Sequence, residues 1–441
     1  MNEAASTAGA SNPRAAPARR LLGWAAAAAL IVAAALAFDN PYLRAAPLLG
    51  PFLSGAANLE LGKGWRYSVE DVQRYAALPD DEARARFRFE RRPDAELRPY
   101  ELSSEGLVYV IWAARGLLPW MGDLQALEWL QIAIHVGLTL LVATRFREPV
   151  LQAAFVILYG ANPLVLHTVT YPYYYFWQVV PTAILAAYLL DRRFRLGRWA
   201  PAVAVLLAGT HAIRPTGLLA SMFLFVLVTT RESWRLGAAS LAILLVVALG
   251  FLSGAHHGKD PWHTAYIAIG AHPNPYVASY RDGEAFEEFT RRTGETVDLS
   301  PTGNFYDPAF RRRLSEVTRE AYLEIVRSDP LLIVRNAVLN YFQSFSIGHF
   351  AGRSRLNQLS TGLGVLCFVW LVWRRRFLFV AAVTAAGATF VPYTAPVVLY
   401  LFGHYVLLVA AVIDTMRDFV PGQRTASSLE APGAAPARAA R

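Results

Sequence analysis

The chain reads as an all-α protein, a polytopic transmembrane helix bundle of about ten spans with juxtamembrane helices in two large outer loops. Three observations predict this. Of 441 residues, 55% are hydrophobic and only 17% are charged, and the mean hydropathy is +0.30; a water-soluble domain carries more charge and less apolar surface. Apolar runs that reach, or nearly reach, the thickness of a hydrocarbon core recur along the chain. Arginines cluster in the short connections between these runs, as they do when basic loops face the cytoplasm.

Residues 1–20 are rich in Ala, Ser and Pro, close on Arg19-Arg20, and are expected to be a disordered cytoplasmic N-terminus. The apolar run at 21–38 is longer than the core of a usual signal peptide, so an uncleaved anchor is expected. Further spans are expected at 125–143, 149–166, 174–190, 198–212, 215–230, 236–253, 357–373, 377–393 and 396–413. With Arg19-Arg20 inside, alternating parity places Arg145, Arg147, Arg192, Arg193, Arg195, Arg198, Arg231, Arg235, the run Arg374-Arg375-Arg376 and Arg417 on the same cytoplasmic side. The run at 106–119 carries Arg115 and would measure roughly 21 Å as a helix, too short to cross, so it is expected to be interfacial. Residues 21–413 then form one transmembrane domain, and 414–441 a disordered cytoplasmic tail.

This topology leaves residues 39–124 and 254–356 outside. Both segments read as short amphipathic helices, at 69–78, 94–107, 284–292 and 309–327, joined by Pro/Gly turns. Several functions are disfavoured. The net charge of +9 is dispersed in small clusters, which fits topology and not a nucleic-acid face. The single cysteine, Cys367, allows neither an intrachain disulfide nor a cysteine metal site. There is no phosphate loop, dinucleotide fingerprint, zinc-protease helix or nucleophile elbow, and the scarcity of charges within the spans tells against an ion-coupled pump.

The strongest constellation is Glu70-Asp71-Val72-Gln73-Arg74-Tyr75-Ala76, flanked by Trp65, Arg66 and Tyr67. A carboxylate there, Asp71 or Glu70, can act as general base on an acceptor hydroxyl or amine, while Arg66, Arg74 and Tyr75 hold phosphate or sugar. The competing reading is a membrane-surface helix with aromatic anchors. Asp39, at the outer end of the first span, is a second candidate carboxylate; before Asn40-Pro41 its ordinary role, and the one favoured, is to end the helix. In the second outer segment His256, His257, His263 and His272 match no metal-ligand spacing, so no metal ligands are assigned, with a divalent cation left open. Trp262, Tyr276 and Arg281 in the same segment are candidate substrate contacts, with a purely structural turn as the equal alternative. The belt Tyr171–Gln178 suits interface anchoring or stacking on a sugar. Arg214 is a cation at membrane depth, where an unpaired charge is costly, and is a phosphate-binding candidate. His135, His404 and Tyr405 fall within apolar runs, where packing and interhelical hydrogen bonds are the ordinary roles; His404 and Tyr405 are also candidate substrate contacts.

On these residues the layout resembles the GT-C superfamily of integral membrane glycosyltransferases, in particular its aminoarabinose-transferase and protein O-mannosyltransferase branch. The family's bacterial motif Asp-Glu-x-Arg-Tyr-Ala is matched at Asp71, Arg74, Tyr75 and Ala76; Val72 replaces the second acid and Glu70 precedes Asp71. The resemblance implies that Asp71 is the catalytic carboxylate. Where relatives carry Arg-Tyr at the start of the last span this chain has His404-Tyr405, so Arg214 or Arg281 would take the phosphate. It further implies an enzyme of the bacterial inner membrane, active on the periplasmic side. Its partners would be membrane lipids, a polyprenyl-phosphate-linked sugar and a lipid, glycan or protein acceptor, with no nucleic acid. The alternatives are a lipid-linked glycan transporter or flippase, an O-antigen-type polymerase or ligase, and a catalytically silent scaffold.

Overall fold

The computed structural model describes residues 15–40, 49–62, 66–91, 96–99, 104–254, 261–300 and 303–419. The all-α expectation holds: helices dominate, and the named strands are one two-stranded pair. Trp65, Asp94, His256, His257 and the expected tail after Phe419 lie outside the described residues, as do residues 1–14 of the expected N-terminal segment.

Helix α1 (Ala15–Ala37) leads into the first long connecting segment, where α2 (Gly50–Leu59) is buried on nearly every side. Strand β1 (Arg66–Ser68) runs along α2, held where Asn58 Nδ2 donates to the Arg66 carbonyl (3.1 Å) and the Ser68 amide donates to Ser54 Oγ (3.0 Å). Helix α3 (Val69–Ala76) follows directly, then α4 (Asp81–Arg86), capped by the Asp80 carboxylate accepting from the Ala83 amide. Strand β2 (Leu97–Pro99) pairs antiparallel with β1, Tyr67 opposite Arg98. This corrects the helix expected at 94–107. Pro99 has no amide to donate and pushes Arg98 towards extended backbone, so the helical part, α5 (Gly106–Leu117), starts only past it.

Helices α6 (Asp123–Ala143) and α17 (Ser354–Trp373) are long and apolar enough to cross a membrane. A third candidate is the pair α7 (Pro149–Phe155) and α8 (Pro163–Val169), bent by 57°. A π-helical turn at Val156–Gly160 and Pro163 account for the bend, so the run expected as one straight span at 149–166 is broken. Further apolar helices follow: α9 (Val179–Leu190), entered through a 3₁₀ turn at Tyr174–Gln178, α10 (Ala200–Ile213), α11 (Leu218–Arg231) and α12 (Trp234–Gly254). The second long connecting segment contains α13 (Pro261–Ile269), α14 (Asp282–Thr293), α15 (Pro308–Ser328) and α16 (Pro330–Gln343). After α17 come α18 (Phe377–Gly387) and α19 (Phe402–Met416). The runs expected as spans at 377–393 and 396–413 thus give up residues 388–401 to turns, where Pro392 and Pro396 interrupt helical hydrogen bonding.

The two long connecting segments differ in how they pack. Leu49, Phe52, Tyr67, Val72, Tyr75, Phe89 and Leu107 of the first join the main core of the bundle. The second builds small cores of its own, one around Tyr266, Ile269, Ala285 and Ile325, another around Phe289, Phe310 and Leu314. Several helices of the bundle carry apolar side chains outward. On α17, Leu359, Leu363, Leu366, Val369 and Trp373 are exposed at helical spacing, a stripe that water does not favour.

Candidate functional site

Asp71 sits in the first turn of α3, where the helix dipole favours a carboxylate. Ser68 caps the helix, its Oγ accepting from the Asp71 amide at 3.2 Å. The Asp71 side chain is only 3% exposed, and its neighbouring cation is Arg74, one turn on, at 3.5 Å. Arg74 is half-exposed and lies 5.3 Å from the centre of the Phe87 ring. Glu70 points the other way, into solvent, as does Arg66. The geometry therefore separates the two acids of the motif: Asp71 is embedded and Glu70 is a surface group. Tyr75 is fully buried, 5.7 Å from Phe87 and 5.4 Å from Phe89 between ring centres, and burial drives its hydroxyl pKa up, keeping it neutral.

The neighbouring α2 ties this helix to the bundle. A Cβ at Gly50 would come within 3.0 Å of Val72, so glycine is what lets α2 approach α3 this closely. On another face of α2, Phe52 lies 6.1 Å from Tyr173 and 6.4 Å from Tyr174. The start of α5 is equally close to α10, where a Cβ on Gly106 would meet the Ala212 and Ile213 backbone at 2.8 Å.

The residue after Ile213 is Arg214, which leaves α10 in an extended conformation. Its guanidinium carbon lies 4.7 Å from the ring centre of Tyr175, 4.9 Å from that of Tyr400 and 5.1 Å from that of Tyr174. Tyr400, Tyr175 and Tyr174 act most strongly on its charge, and no carboxylate pairs with it among the described residues. Three rings at this distance stabilise a cation through their electron-rich faces. The cage is braced from several sides. Gln178 Nε2 donates to the Leu399 carbonyl and its Oε1 accepts from Thr216 Oγ1 (3.2 Å), while Tyr400 stacks on Phe390 at 5.5 Å. The belt Tyr171–Gln178 is therefore largely turned inward; Tyr171, Phe176 and Trp177 are buried.

Beside the cage, Tyr280 donates to or accepts from Thr394 Oγ1 (3.0 Å), and it lines a cavity of about 660 Å³. His272, Arg335, Gln343, Arg353 and Asn357 also line it. His272 Nε2 is 3.0 Å from Asn340 Oδ1, and Gln343 is fully buried with its Oε1 unpartnered. His349 lies behind His272, ring centres 5.5 Å apart; burial first, and then His272, push its pKa down to about 4. Such a cavity offers donors, acceptors and two cations to a hydroxyl-rich or anionic group.

The remaining candidates are dispersed. Asp39 is exposed just beyond α1, and its neighbour Asn40 is the anchored residue, donating to the His167 carbonyl and to Thr170 Oγ1. Trp262 packs on Tyr322 at 6.0 Å with Arg319 over its ring, and Tyr276 is exposed. Arg281 is exposed and neutralised by Glu284 (3.1 Å) and Glu287 (3.2 Å). His404 is buried beside Phe390, and the Tyr405 hydroxyl donates to the Ile347 carbonyl (3.0 Å). His135, in α6, contacts the Gly160 carbonyl at 2.9 Å. Of the histidines once considered together, His263 pairs with Asp282 (2.9 Å) and His272 with Asn340. No group of three or more His, Cys, Asp or Glu suited to a metal occurs among the described residues.

No protein-family model matches the chain, and neither a curated protein nor a solved structure matches it.

Sequence reasoning found Arg214 and the tyrosine belt but missed Tyr400, Thr394, Asn340 and His349. Tyr400 was hidden in an apolar run; the only signal available was the pair Pro392 and Pro396, which mark a turn and not a span.

Proposed function

We propose that the chain is a multi-pass membrane glycosyltransferase of GT-C type, with about ten membrane-embedded helices, that acts at the outer face of a bacterial inner membrane. The observation that carries this reading is Arg214, a guanidinium held among Tyr174, Tyr175 and Tyr400 without a carboxylate partner. A cation kept at such a place without neutralisation suits an anionic ligand, and its position at the end of an apolar helix suits one carried on a lipid. The outward apolar stripe of α17 supports the membrane setting.

In this reading a polyprenyl-phosphate sugar enters beside the bundle with its phosphate at Arg214. Asp71 takes the proton of an acceptor hydroxyl or amine, whose oxygen or nitrogen attacks the anomeric carbon. The bond from that carbon to the phosphate oxygen breaks, and the polyprenyl phosphate leaves with its negative charge met by Arg214. A single displacement inverts the anomeric centre. The cavity beside Tyr280 has room for the sugar or for part of the acceptor.

The test is mass spectrometry of lipid-linked sugars and envelope glycans from cells with the wild-type gene, without it, and with Asp71→Asn or Glu70→Gln. Loss of the gene and Asp71→Asn are expected to accumulate the same polyprenyl-phosphate sugar, while Glu70→Gln behaves as wild type. Unimpaired transfer by a folded Asp71→Asn protein removes the assigned role of Asp71, and unchanged lipid and glycan profiles on deletion remove the enzyme reading.

A further inference from the structure

A second cationic site lies at the opposite end of the bundle. Helices α9 and α19 begin beside the Arg214 cage, at Gln178 and Tyr400, and end at a cavity of about 540 Å³. The run from Tyr175 to Leu190 spans roughly 22 Å, so the two sites are separated by most of the thickness of a hydrocarbon core.

Eight arginines and three carboxylates line this cavity, contributed by five separate stretches of chain: the turn between α6 and α7, the ends of α9, α11 and α19, and the turn between α17 and α18. The carboxylates are already engaged. Asp191 is 3.9 Å from Arg145, Asp414 is shared by Arg376 (3.0 Å) and Arg417 (2.8 Å), and Glu148 is 3.9 Å from Arg417. Arg147, Arg192, Arg193 and Arg375 line the same space with no carboxylate ion pair among the described residues. Arg231 is half-buried and repelled by Arg192 and Arg195.

A general bias for basic residues on one side explains arginines in each connection, but like charges in separate connections should splay apart into water. Here they converge on one concavity. The backbone adds an independent sign. Arg375 adopts φ +55°, in the left-handed region, at the end of α17, and the Arg376 amide closes the helix onto the Leu371 carbonyl at 2.8 Å. Glycine is the residue that suits this terminus, and a bulky side chain there costs stability. The strained position is occupied by an arginine whose side chain lines the cavity.

We infer that this arginine-lined cavity is a binding site for phosphate anions, and that its occupant is the anionic headgroup of a membrane phospholipid. A phosphodiester is met by guanidinium groups from several directions, the geometry in which arginine is strongest, and basic pockets between helices at a membrane face hold such headgroups. The same chemistry would take a soluble diphosphate. The inference does not depend on the transferase reading, since none of its residues belongs to the Asp71 or Arg214 regions.

The test uses the full chain purified in neutral detergent, with native mass spectrometry after mixing with phosphatidylglycerol or phosphatidylcholine, and a separate titration with inorganic pyrophosphate. Phosphatidylglycerol is expected to be retained over phosphatidylcholine. Arg192→Gln with Arg193→Gln should lower that retention by about tenfold or more. Arg375→Gly should lower it as well, and this change keeps the fold because glycine suits the left-handed backbone; thermal melting verifies that. Preference for phosphatidylglycerol, lost in the variants, supports the headgroup. Binding of pyrophosphate alone, also lost in the variants, supports the anion site and moves its occupant to a soluble phosphate compound. Equal retention of the two lipids with no pyrophosphate binding overturns the inference, as does unchanged binding in variants that melt like wild type.

Discussion

Arg115 and Arg214 both lie at ends of apolar helices with little water around them, yet their surroundings are opposite. Arg115 is 5% exposed and meets the fully buried carboxylate of Asp123; its other nitrogen donates to the Phe89 carbonyl (3.0 Å), and the Phe89 amide donates to Asp123 (2.9 Å). The ion pair and these two hydrogen bonds hold α5, α6 and the stretch at Phe89 together, and the Glu60 carboxylate, 3.9 Å from Arg115 Nε, sets a second acid beside the cation. Arg214 has three tyrosine faces and no counter-charge among the described residues. A buried cation completed by an acid is a structural joint; one completed only by rings keeps an electrostatic demand that an anion can meet.

The sharpest way to break this contrast is to remove the acid from the first site. Asp123→Ala leaves Arg115 buried without its hydrogen-bonded acid, with Glu60 only at 3.9 Å, and is expected to destabilise the protein by up to about 3–5 kcal/mol, read as a lower melting temperature in detergent. The double change Asp123→Leu with Arg115→Met should recover most of that loss, because it removes both charges at once. If Asp123→Ala melts like wild type, Arg115 has another means of compensation and the contrast fails.

Arg214→Gln should show the reverse split. Melting is expected to change little, while transfer from a polyprenyl-phosphate sugar falls by about 10²–10³-fold, the usual cost of removing one group that stabilises developing charge. Arg214→Lys should restore only part of the activity, since a compact ammonium neither stacks on rings nor presents a planar fork. A variant that unfolds without losing specific activity would make Arg214 another joint.

A third solution to the same problem stands beside the cage. His349 is 2% exposed, faces His272 and Tyr280, and survives burial by giving up its proton; its pKa is pushed down to about 4. The unfolded chain binds that proton near pH 6.5. Since the folded pKa is the lower one, the stability is intact above pH 6.5 and is lost as pH falls towards 4, by up to about 1.4 kcal/mol per pH unit. His272, also depressed by burial, acts in the same direction. Melting at pH 7 against pH 5 should show this loss, and His349→Gln should flatten it; an equal slope in that variant assigns the effect elsewhere.

How much of this could be read beforehand depended on the kind of signal. Apolar runs and capping residues made the helices legible, as at α3, where Ser68 and the early acids mark the start. Arg214 was legible because a charge in an apolar context is conspicuous. Its cage was not: Tyr400 is far from it in sequence, and aromatic residues within apolar runs carry no mark of which way they face. Two apolar runs near the C-terminus looked like full spans because hydropathy averages over Pro392 and Pro396, although hydrogen bonding does not. Chemistry and spacing alone left Asp71 and Glu70 equivalent, and only the motif resemblance favoured Asp71; the packing of α3 on α2 buries that acid and exposes the other.

The smallest effect is expected at Arg281, which the sequence offered as an equal of Arg214. It is 61% exposed and reaches Glu284 and Glu287 across water-accessible distances of 3.1 and 3.2 Å. Exposed ion pairs of this kind contribute about 0–1 kcal/mol, because solvent already screens both charges and the long side chains lose freedom to meet. Arg281→Ala should therefore shift melting only slightly and leave transfer within about twofold of wild type. A large loss of transfer at Arg281, with Arg214→Gln still active, would exchange the two assignments: the phosphate would then be bound at the surface of the second outer segment, and the tyrosine cage would be packing.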